Sequence, residues 1–229
     1  TTALTVSGNK VGLDIGIGCD IQVRYTHSGT DGWAQFHNNC DVDGIDASGA
    51  RGFFTGGGWG SKSNPANTSG HHAMYLGTDC IGMNMDTEPQ AADAEAMEGY
   101  STNGDRAVFS GIKVTDSQAH AGRLYDADQL MIGCHAVKYD SFSVQTVAAR
   151  DRMVGNFFAT PDDANSNQIE LDGADTIIVG NVVAAANGTG KTVQANAGGG
   201  NAVVVGNRGI TGAVTDTPGT GTVSANDLT

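Results

Sequence analysis

The feature that most constrains the fold of this chain is a short repeat that ends in Gly-Asn or a related pair. Its clearest copies lie in the C-terminal half, at residues 106–112 (RAVFSGI), 128–134 (DQLMIGC), 150–156 (RDRMVGN), 175–181 (DTIIVGN) and 201–207 (NAVVVGN). Their glycines lie 22, 22, 25 and 26 residues apart. Each copy is a β-branched run followed by a turn residue, which predicts a strand and then a corner. A fixed period of this length indicates a stack of repeated units.

Further segments extend the pattern along the chain. We align Ala3–Asn9 (ALTVSGN) with the repeat, and the segments that begin at Cys19, Cys40 and Cys80 (CDIQV, CDVDG and CIGMN) as weaker copies. A second strand signal closes most periods, at residues 34–36, 74–76, 168–171, 192–195 and 222–225. A brief third apolar piece lies between them, such as Val114, 157–158 or 182–183. Three short strands in each period of 21 to 26 residues predict one coil of a parallel β-helix.

The predicted fold is therefore all-β, a right-handed parallel β-helix of about nine coils that forms a single domain over residues 1–229. Two coils are longer than the rest, 40–79 and 80–105, and we expect loop insertions there. Residues 90–98 within the second insertion predict a short helical turn on the outside. Because Ala3–Ser7 already has the form of a coil strand, we expect the domain to belong to a longer chain or to be capped by another domain or subunit.

Charge and composition exclude several classes of function. The chain has 12 Lys and Arg against 25 Asp and Glu, for a net charge of −13, so neither nucleic acid nor an anionic membrane surface is an expected partner. No apolar run is long enough to insert in a membrane. Residues 185–192 (AANGTGKT) resemble a phosphate-binding loop, but the sequence after them predicts a strand instead of the required helix. The four cysteines follow no metal-ligand spacing, and we expect small buried side chains there.

Two sets of residues predict structural columns along the rod. The first is a ladder of stacked side-chain amides, because Asn tolerates the left-handed conformation of a corner and bonds from coil to coil: Asn9, Asn156, Asn181 and Asn207. The second comes five residues before the repeat glycines and alternates in charge: Arg106, Asp128, Arg150, Asp175 and Asn201. Neighbouring coils bring such side chains to about 5 Å, so we expect ion pairs.

The chain resembles the right-handed parallel β-helix proteins with pectin-lyase-like repeats, most of all the β-helix domains of bacteriophage tailspikes and tail fibres. The motif Val154-Gly155-Asn156 with its copies at 179–181 and 205–207 carries the likeness, together with the phrase at 70–76 (GHHAMYL). The resemblance implies recognition of a bacterial surface polysaccharide, a homotrimer, contact with other virion tail proteins, and a location in the virion tail or outside the cell. Depolymerase activity, by hydrolysis or by lyase chemistry, is an open expectation.

The candidate site residues follow from where the period is interrupted, because loops without core contacts persist where they serve another purpose. We expect a ligand-binding flank beside the insertions, with aromatic side chains that stack on sugars and an Arg that binds hydroxyl or anionic groups: Trp59, His72, Tyr75, Arg123 and Tyr125. Trp59 is expected in a Gly-rich loop, and two alternatives stay open: an exposed ring that stacks on a sugar, or a ring folded back to cap its own loop. Asp126 and Asp128 are the candidate catalytic carboxyl groups, with an ordinary charged flank as the alternative. No metal site is expected, because His71 and His72 would point to opposite faces of a strand.

Two other functions stay open at this point. A secreted polysaccharide lyase or epimerase would need Ca²⁺ or basic residues to offset the charge of an acidic glycan, whereas no cofactor is otherwise expected. A structural spacer would have no ligand at all.

Overall fold

The structure is a computed structural model of the chain. It describes residues 4–6, 14–18, 20–27, 35–38, 41–47, 51–60, 74–88, 97–99, 105–114, 121–137, 144–159, 169–183, 193–195, 200–209, 214–215, 222–224 and 227–228. Every element within these ranges is a β-strand, and every strand pairing is parallel. The 28 strands are numbered in chain order and form three columns that run along the rod.

Column one is a separate sheet of ten strands, in which each strand pairs with the next in the column. Its members are β2 (Asp14–Ile17), β4 (Gln35–Asn38), β6 (Gly52–Thr55), β9 (Ile81–Met83), β12 (Val108–Ser110), β15 (Leu130–Ile132), β18 (Arg152–Val154), β21 (Ile177–Val179), β24 (Val203–Val205) and β27 (Thr222–Ser224).

Columns two and three belong to one sheet of eighteen strands, because the long strands β3 (Asp20–His27) and β5 (Asp41–Ala47) pair in both columns. Column two continues with β7 (Gly58–Gly60), β10 (Asp86–Glu88), β13 (Lys113–Val114), β16 (His135–Ala136), β19 (Phe157–Phe158), β22 (Val182–Val183), β25 (Arg208–Gly209) and β28 (Asp227–Leu228). Column three contains β1 (Leu4–Val6), β8 (Met74–Leu76), β11 (Met97–Gly99), β14 (Gly122–Leu124), β17 (Val144–Thr146), β20 (Ile169–Leu171), β23 (Val193–Ala195) and β26 (Val214–Thr215).

The predicted all-β parallel β-helix is confirmed by this stacking. Each coil visits column one, then column two, then column three, with a corner between columns. The hand of the coil and the number of coils stay predictions, because many of the connections lie outside the described residues.

The pairing corrects the alignment of the N-terminal copies. The strand in Ala3–Asn9 is β1, which pairs with β3 in column three, whereas the Gly-Asn strands lie in column one. The copies that begin at Cys19 and Cys40 contribute β3 and β5, and only the copy at Cys80 contributes a column-one strand. Asn9 itself lies outside the described residues. Local sequence is similar in all of these segments, but the pairing partner decides the column.

Two second-strand segments are also reassigned. The strands at 35–38 and 222–224 lie in column one, where Thr222–Ser224 pairs with Val203–Val205. Residues 97 and 98, which we expected in a helical turn, form part of β11. The rest of that expected turn, 90–96, lies outside the described residues.

The core is a set of apolar side chains stacked inside the rod. The middle residue of most described column-one strands is fully buried, as in Phe54, Phe109, Met131, Met153 and Ile178. Columns two and three add buried residues at alternate positions, such as Val114, Phe158, Leu124 and Leu171. Burial of each large apolar side chain is worth about 1.5 to 3 kcal/mol, and the stack repeats this gain in every coil.

The corner from column one to column two carries the repeat glycines. Their φ angles lie between 61° and 65° in Gly111, Gly133, Gly155, Gly180 and Gly206, a conformation that favours glycine. In three consecutive coils the glycine is followed by a buried asparagine, Asn156, Asn181 or Asn207.

These three asparagines form the hydrogen-bonded ladder that the repeat predicts. Asn181 Oδ1 accepts hydrogen bonds from the backbone N–H and Nδ2 of Asn156, at 2.9 and 2.8 Å. The backbone N–H and Nδ2 of Asn181 both donate to Asn207 Oδ1 at 2.9 Å. Each Nδ2 also donates to a backbone carbonyl of the preceding coil, that of Met131, Met153 or Ile178. The ladder thus satisfies polar groups that the corner buries.

Cys134 occupies the ladder position one coil earlier. Its backbone N–H donates to Asn156 Oδ1 at 2.8 Å, and its thiol donates to the Phe109 carbonyl at 3.6 Å, as the amides do in later coils. Burial raises the pKa of the Cys80 and Cys134 thiols to about 12. Both side chains are buried, as predicted, whereas Cys19 and Cys40 lie outside the described residues.

Candidate functional site

The corner from column three to column one, called here the charged corner, carries the column of residues for which we expected ion pairs. Its exposed tip has a positive φ in every coil from 79 to 201: Asp79, Arg106, Asp128, Arg150, Asp175 and Asn201. Successive coils place these tips about 4.8 Å apart along the rod. Charged side chains at the tips can therefore pair with the coil above or below.

One of the predicted pairs, Asp128 with Arg150, is confirmed, whereas Arg106 pairs with Asp79, which the prediction did not include. Arg150 makes two hydrogen bonds of 2.8 Å to the carboxylate of Asp128. Arg106 holds Asp79 in the same way, at 2.6 and 3.1 Å, and Arg51 adds a third contact at 3.3 Å. Hydrogen bonds from the arginines hold the pKa of both carboxyl groups below its ordinary value.

Asp128 is therefore engaged on both carboxylate oxygens. A residue that hydrolyses a glycoside needs a carboxyl group free to meet the substrate, at a set distance from its partner. The contact with Arg150 fits instead the bracing role that the charge pattern also predicts for Asp128.

Asp126 lies beside a carboxyl group that the sequence argument missed. Its Oδ1 accepts a hydrogen bond from the Ala127 backbone N–H at 3.0 Å, and its side chain is also hydrogen-bonded to Asp105 of the preceding coil. Burial raises the pKa of Asp105, and the hydrogen bond to Asp126 raises it further. The two catalytic carboxyl groups of a glycosidase stand about 5 Å or more apart, so Asp105 and Asp126 in direct contact do not have that spacing.

A third acid, Asp151, is buried just inside the charged corner. Burial, together with the nearby carboxylates of Asp128 and Asp126, raises its pKa to about 8. Its Oδ1 accepts a hydrogen bond from the Gln129 backbone N–H at 3.0 Å. Its Oδ2 and the hydroxyl oxygen of Thr146 are buried without a hydrogen-bond partner among the described residues. The acid is therefore mostly protonated at neutral pH, which removes it as a charged ligand or nucleophile.

The outer face of column three carries a connected polar network. Arg123 Nε donates to Gln145 Oε1 at 2.9 Å, and Gln145 Nε2 donates to Asp172 Oδ2 at 2.7 Å. The Arg123 guanidinium also lies 5.1 Å from the ring centroid of Tyr125. The network crosses three coils, so it follows the long axis of the rod.

Strand alternation explains why these side chains face outward. Leu124, Val144 and Leu171 are fully buried, so Arg123 and Gln145, at alternate positions on the same column, lie partly exposed. Between the ends of the network lies Val147, which is 36% exposed. The face therefore combines an aromatic ring, an apolar side chain, a cation and hydrogen-bonding groups.

The structure brings only some of the predicted ligand-binding residues together. Arg123 and Tyr125 are in contact. Tyr75 pairs with Glu98, which pairs with Arg123, so Tyr75 holds the same row of column three two strands away. His72 lies outside the described residues.

Trp59 is placed differently from the prediction. Its backbone belongs to β7 and pairs with Val42 and Thr87 in column two, so the expectation of a loop is wrong. The Gly-rich sequence suggests a loop, but its glycines lie in a strand and in the turn before it. Its role in ligand binding stays a prediction.

Sequence reasoning also missed Gln145 and Asp172. Both are ordinary polar residues near short strands, and their hydrogen-bond partners lie 22 and 27 positions away in the chain. The period of the repeat could have found them, since Arg123 and Gln145 are separated by one coil.

Comparisons with protein-family models, with curated proteins and with solved structures returned no match. Within the described ranges, no three His, Cys, Asp or Glu side chains are grouped to hold a metal ion. A search of the same ranges found no helix with the length and hydropathy needed to cross a membrane.

Proposed function

We propose that this chain is a receptor-binding β-helix of the phage tailspike or tail-fibre type, which binds bacterial surface polysaccharide on the outer face of column three. The observation that carries the proposal is the network Arg123–Gln145–Asp172 with Tyr125 beside it. The proposal includes the virion location, the homotrimer and the tail-protein partners that the resemblance implies.

The chemistry of this face suits a sugar chain. Guanidinium and amide N–H groups donate to hydroxyl and carboxylate oxygens, while the Asp172 carboxylate accepts from hydroxyl groups. Tyr125 and the exposed Val147 offer apolar surface to the faces of sugar rings. Repetition at about 4.8 Å per coil lets an extended polymer make similar contacts along the rod.

The contacts of Asp126 and Asp128 favour binding of the polysaccharide without its hydrolysis. Asp128 is held by Arg150, and Asp126 is hydrogen-bonded to Asp105. Hydrolysis by Asp126 and Asp128 would require these contacts to break first. Lyase or epimerase chemistry, the other enzymatic candidate, would need cations to offset the charge of an acidic glycan near a chain of net charge −13.

The proposal is tested by calorimetric titration of the chain with purified capsular and O-antigen polysaccharides. We expect binding of at least one polymer, and a loss of affinity of about tenfold or more in Arg123→Ala and Gln145→Ala, since each removes a charged or paired hydrogen bond. Lys113→Ala, an exposed cation on column two, is the matched control.

The alternatives give different results in the same samples. Release of reducing ends indicates a hydrolase, and release of unsaturated sugar ends indicates a lyase. Binding that is unchanged in both column-three variants would contradict the proposed site. No binding to any polymer of a broad panel would favour the structural spacer.

A further inference from the structure

The outer face of column one is apolar over seven consecutive strands. From β6 to β24 each strand has a buried middle residue, and its two outer residues point away from the core. Eleven of these fourteen outward positions hold apolar side chains: Phe53, Ile81, Met83, Val108, Leu130, Ile132, Val154, Ile177, Val179, Val203 and Val205. A sheet face that meets only water normally alternates to polar residues at these positions.

The side chains of this face are partly or well exposed. Ile132 is 39% exposed, and the other ten are partly exposed. They stand in two straight rows, because the pairings from β6 to β24 keep one register without a shift. The result is a continuous aliphatic strip along the rod.

The remaining positions do not interrupt the strip with negative charge. They are Thr55, Ser110 and Arg152. Arg152 lies close enough to Asp128 to favour its ionised form, so its charge is matched at the charged corner beside the strip. In a chain with 25 acidic residues, these fourteen positions hold no carboxylate, so a second copy meets little charge repulsion on this face.

We infer that this strip is an interface between copies of this chain; the inference rests on the homotrimer of the proposed function and adds the surface through which its copies meet. Seven strands at about 4.8 Å give a length of about 34 Å, and a width of about 12 Å gives roughly 400 Å² of apolar surface on each copy. A stable interface buries about 800 Å² per partner, with an apolar centre and a polar rim. The strip supplies the centre, and the corners on either side supply the rim.

The test is sedimentation equilibrium of the 229-residue chain over a range of concentrations, with its mass of 23.4 kDa as the reference. We expect a mass that is a multiple of this value. Val179→Asp should raise the dissociation constant by roughly 100-fold or more, because it buries an unpaired charge in the interface. Val182→Asp makes the same change at a partly exposed position of column two and should leave the assembly intact.

Circular dichroism and the thermal midpoint establish that both variants are folded. If Val179→Asp does not fold, the double variant Val154→Thr with Val179→Thr keeps the β-branched shape and removes apolar surface, and we expect weaker assembly from it. A monomeric wild type at high concentration overturns the inference. An assembly that is equally stable in wild type, Val179→Asp and the double variant overturns it as well.

Discussion

The ladder of buried asparagines makes the most quantitative prediction for stability. Asn181→Ala removes four side-chain hydrogen bonds: two accepted from Asn156, one donated to Asn207 and one donated to the Met153 carbonyl. The partners stay buried, since Asn156, Asn181 and Asn207 are at most 1% exposed. Four net contributions of about 0.5 to 1.5 kcal/mol give a loss of about 2 to 6 kcal/mol in the free energy of unfolding.

The assay is urea-induced unfolding followed by far-UV circular dichroism. Asn201→Gly is the control, because Asn201 is an exposed asparagine at the charged corner whose positive φ a glycine accepts. We expect that control to stay within about 0.5 kcal/mol of wild type. Cys134→Asn should add a rung to the ladder and stabilise the fold by about 0.5 to 1.5 kcal/mol. A loss below about 0.5 kcal/mol in a fully folded Asn181→Ala would refute the ladder as a source of stability.

Three further predictions follow from the corners. Gly173→Ala should prevent normal folding, because the added Cβ would overlap the backbone carbonyl of Ala148 in a neighbouring coil. In Gly155→Ala the added Cβ meets no atom, so thermal unfolding should show a loss of only about 1 to 2 kcal/mol in the free energy of unfolding, which comes from the positive φ. Asp151 has a folded pKa of about 8, above its unfolded value near 3.8. The protonated acid therefore contributes fully to the free energy of unfolding below about pH 4, and this contribution is lost as pH rises towards 8. Asp151→Asn should flatten the pH dependence of the unfolding free energy in that window and stabilise the chain at pH 8 by roughly 3 to 5 kcal/mol. Asp128→Arg should destabilise the chain by about 1 kcal/mol, because it breaks the ion pair with Arg150. The exchange of Asp128→Arg with Arg150→Asp should restore most of the lost stability in a double-mutant cycle. A cycle without coupling energy would refute the bracing role of the pair.

The sequence predicts the C-terminal coils well because their local signals agree with one another. In the copies that end at Asn156, Asn181 and Asn207, a β-branched strand, a glycine at positive φ and a buried asparagine occur in fixed order. Such a pattern leaves one register in which apolar residues face inward and the amides stack.

The N-terminal coils show the limit of this reasoning. Ala3–Asn9 has the same local form, yet its strand β1 pairs in column three. Trp59 looks like a loop residue among glycines, yet its backbone is a strand. Local propensity permits more than one column, and only pairing with neighbouring coils distinguishes them.

The candidate site was predicted in part for a related reason. Arg123 and Tyr125 stand out by residue type, and they do meet on the outer face. Gln145 and Asp105 acquire their roles from partners in adjacent coils. Such contacts depend on exact coil lengths, and the period here varies by several residues.

The most direct test of the account is a structure of the chain with an oligosaccharide from a polymer that it binds. The account predicts sugar rings along the outer face of column three, with hydrogen bonds to Arg123 and Gln145 and ring contact with Tyr125. An oligosaccharide bound at column one, at column two or at an end of the rod, with column three bare, would contradict it.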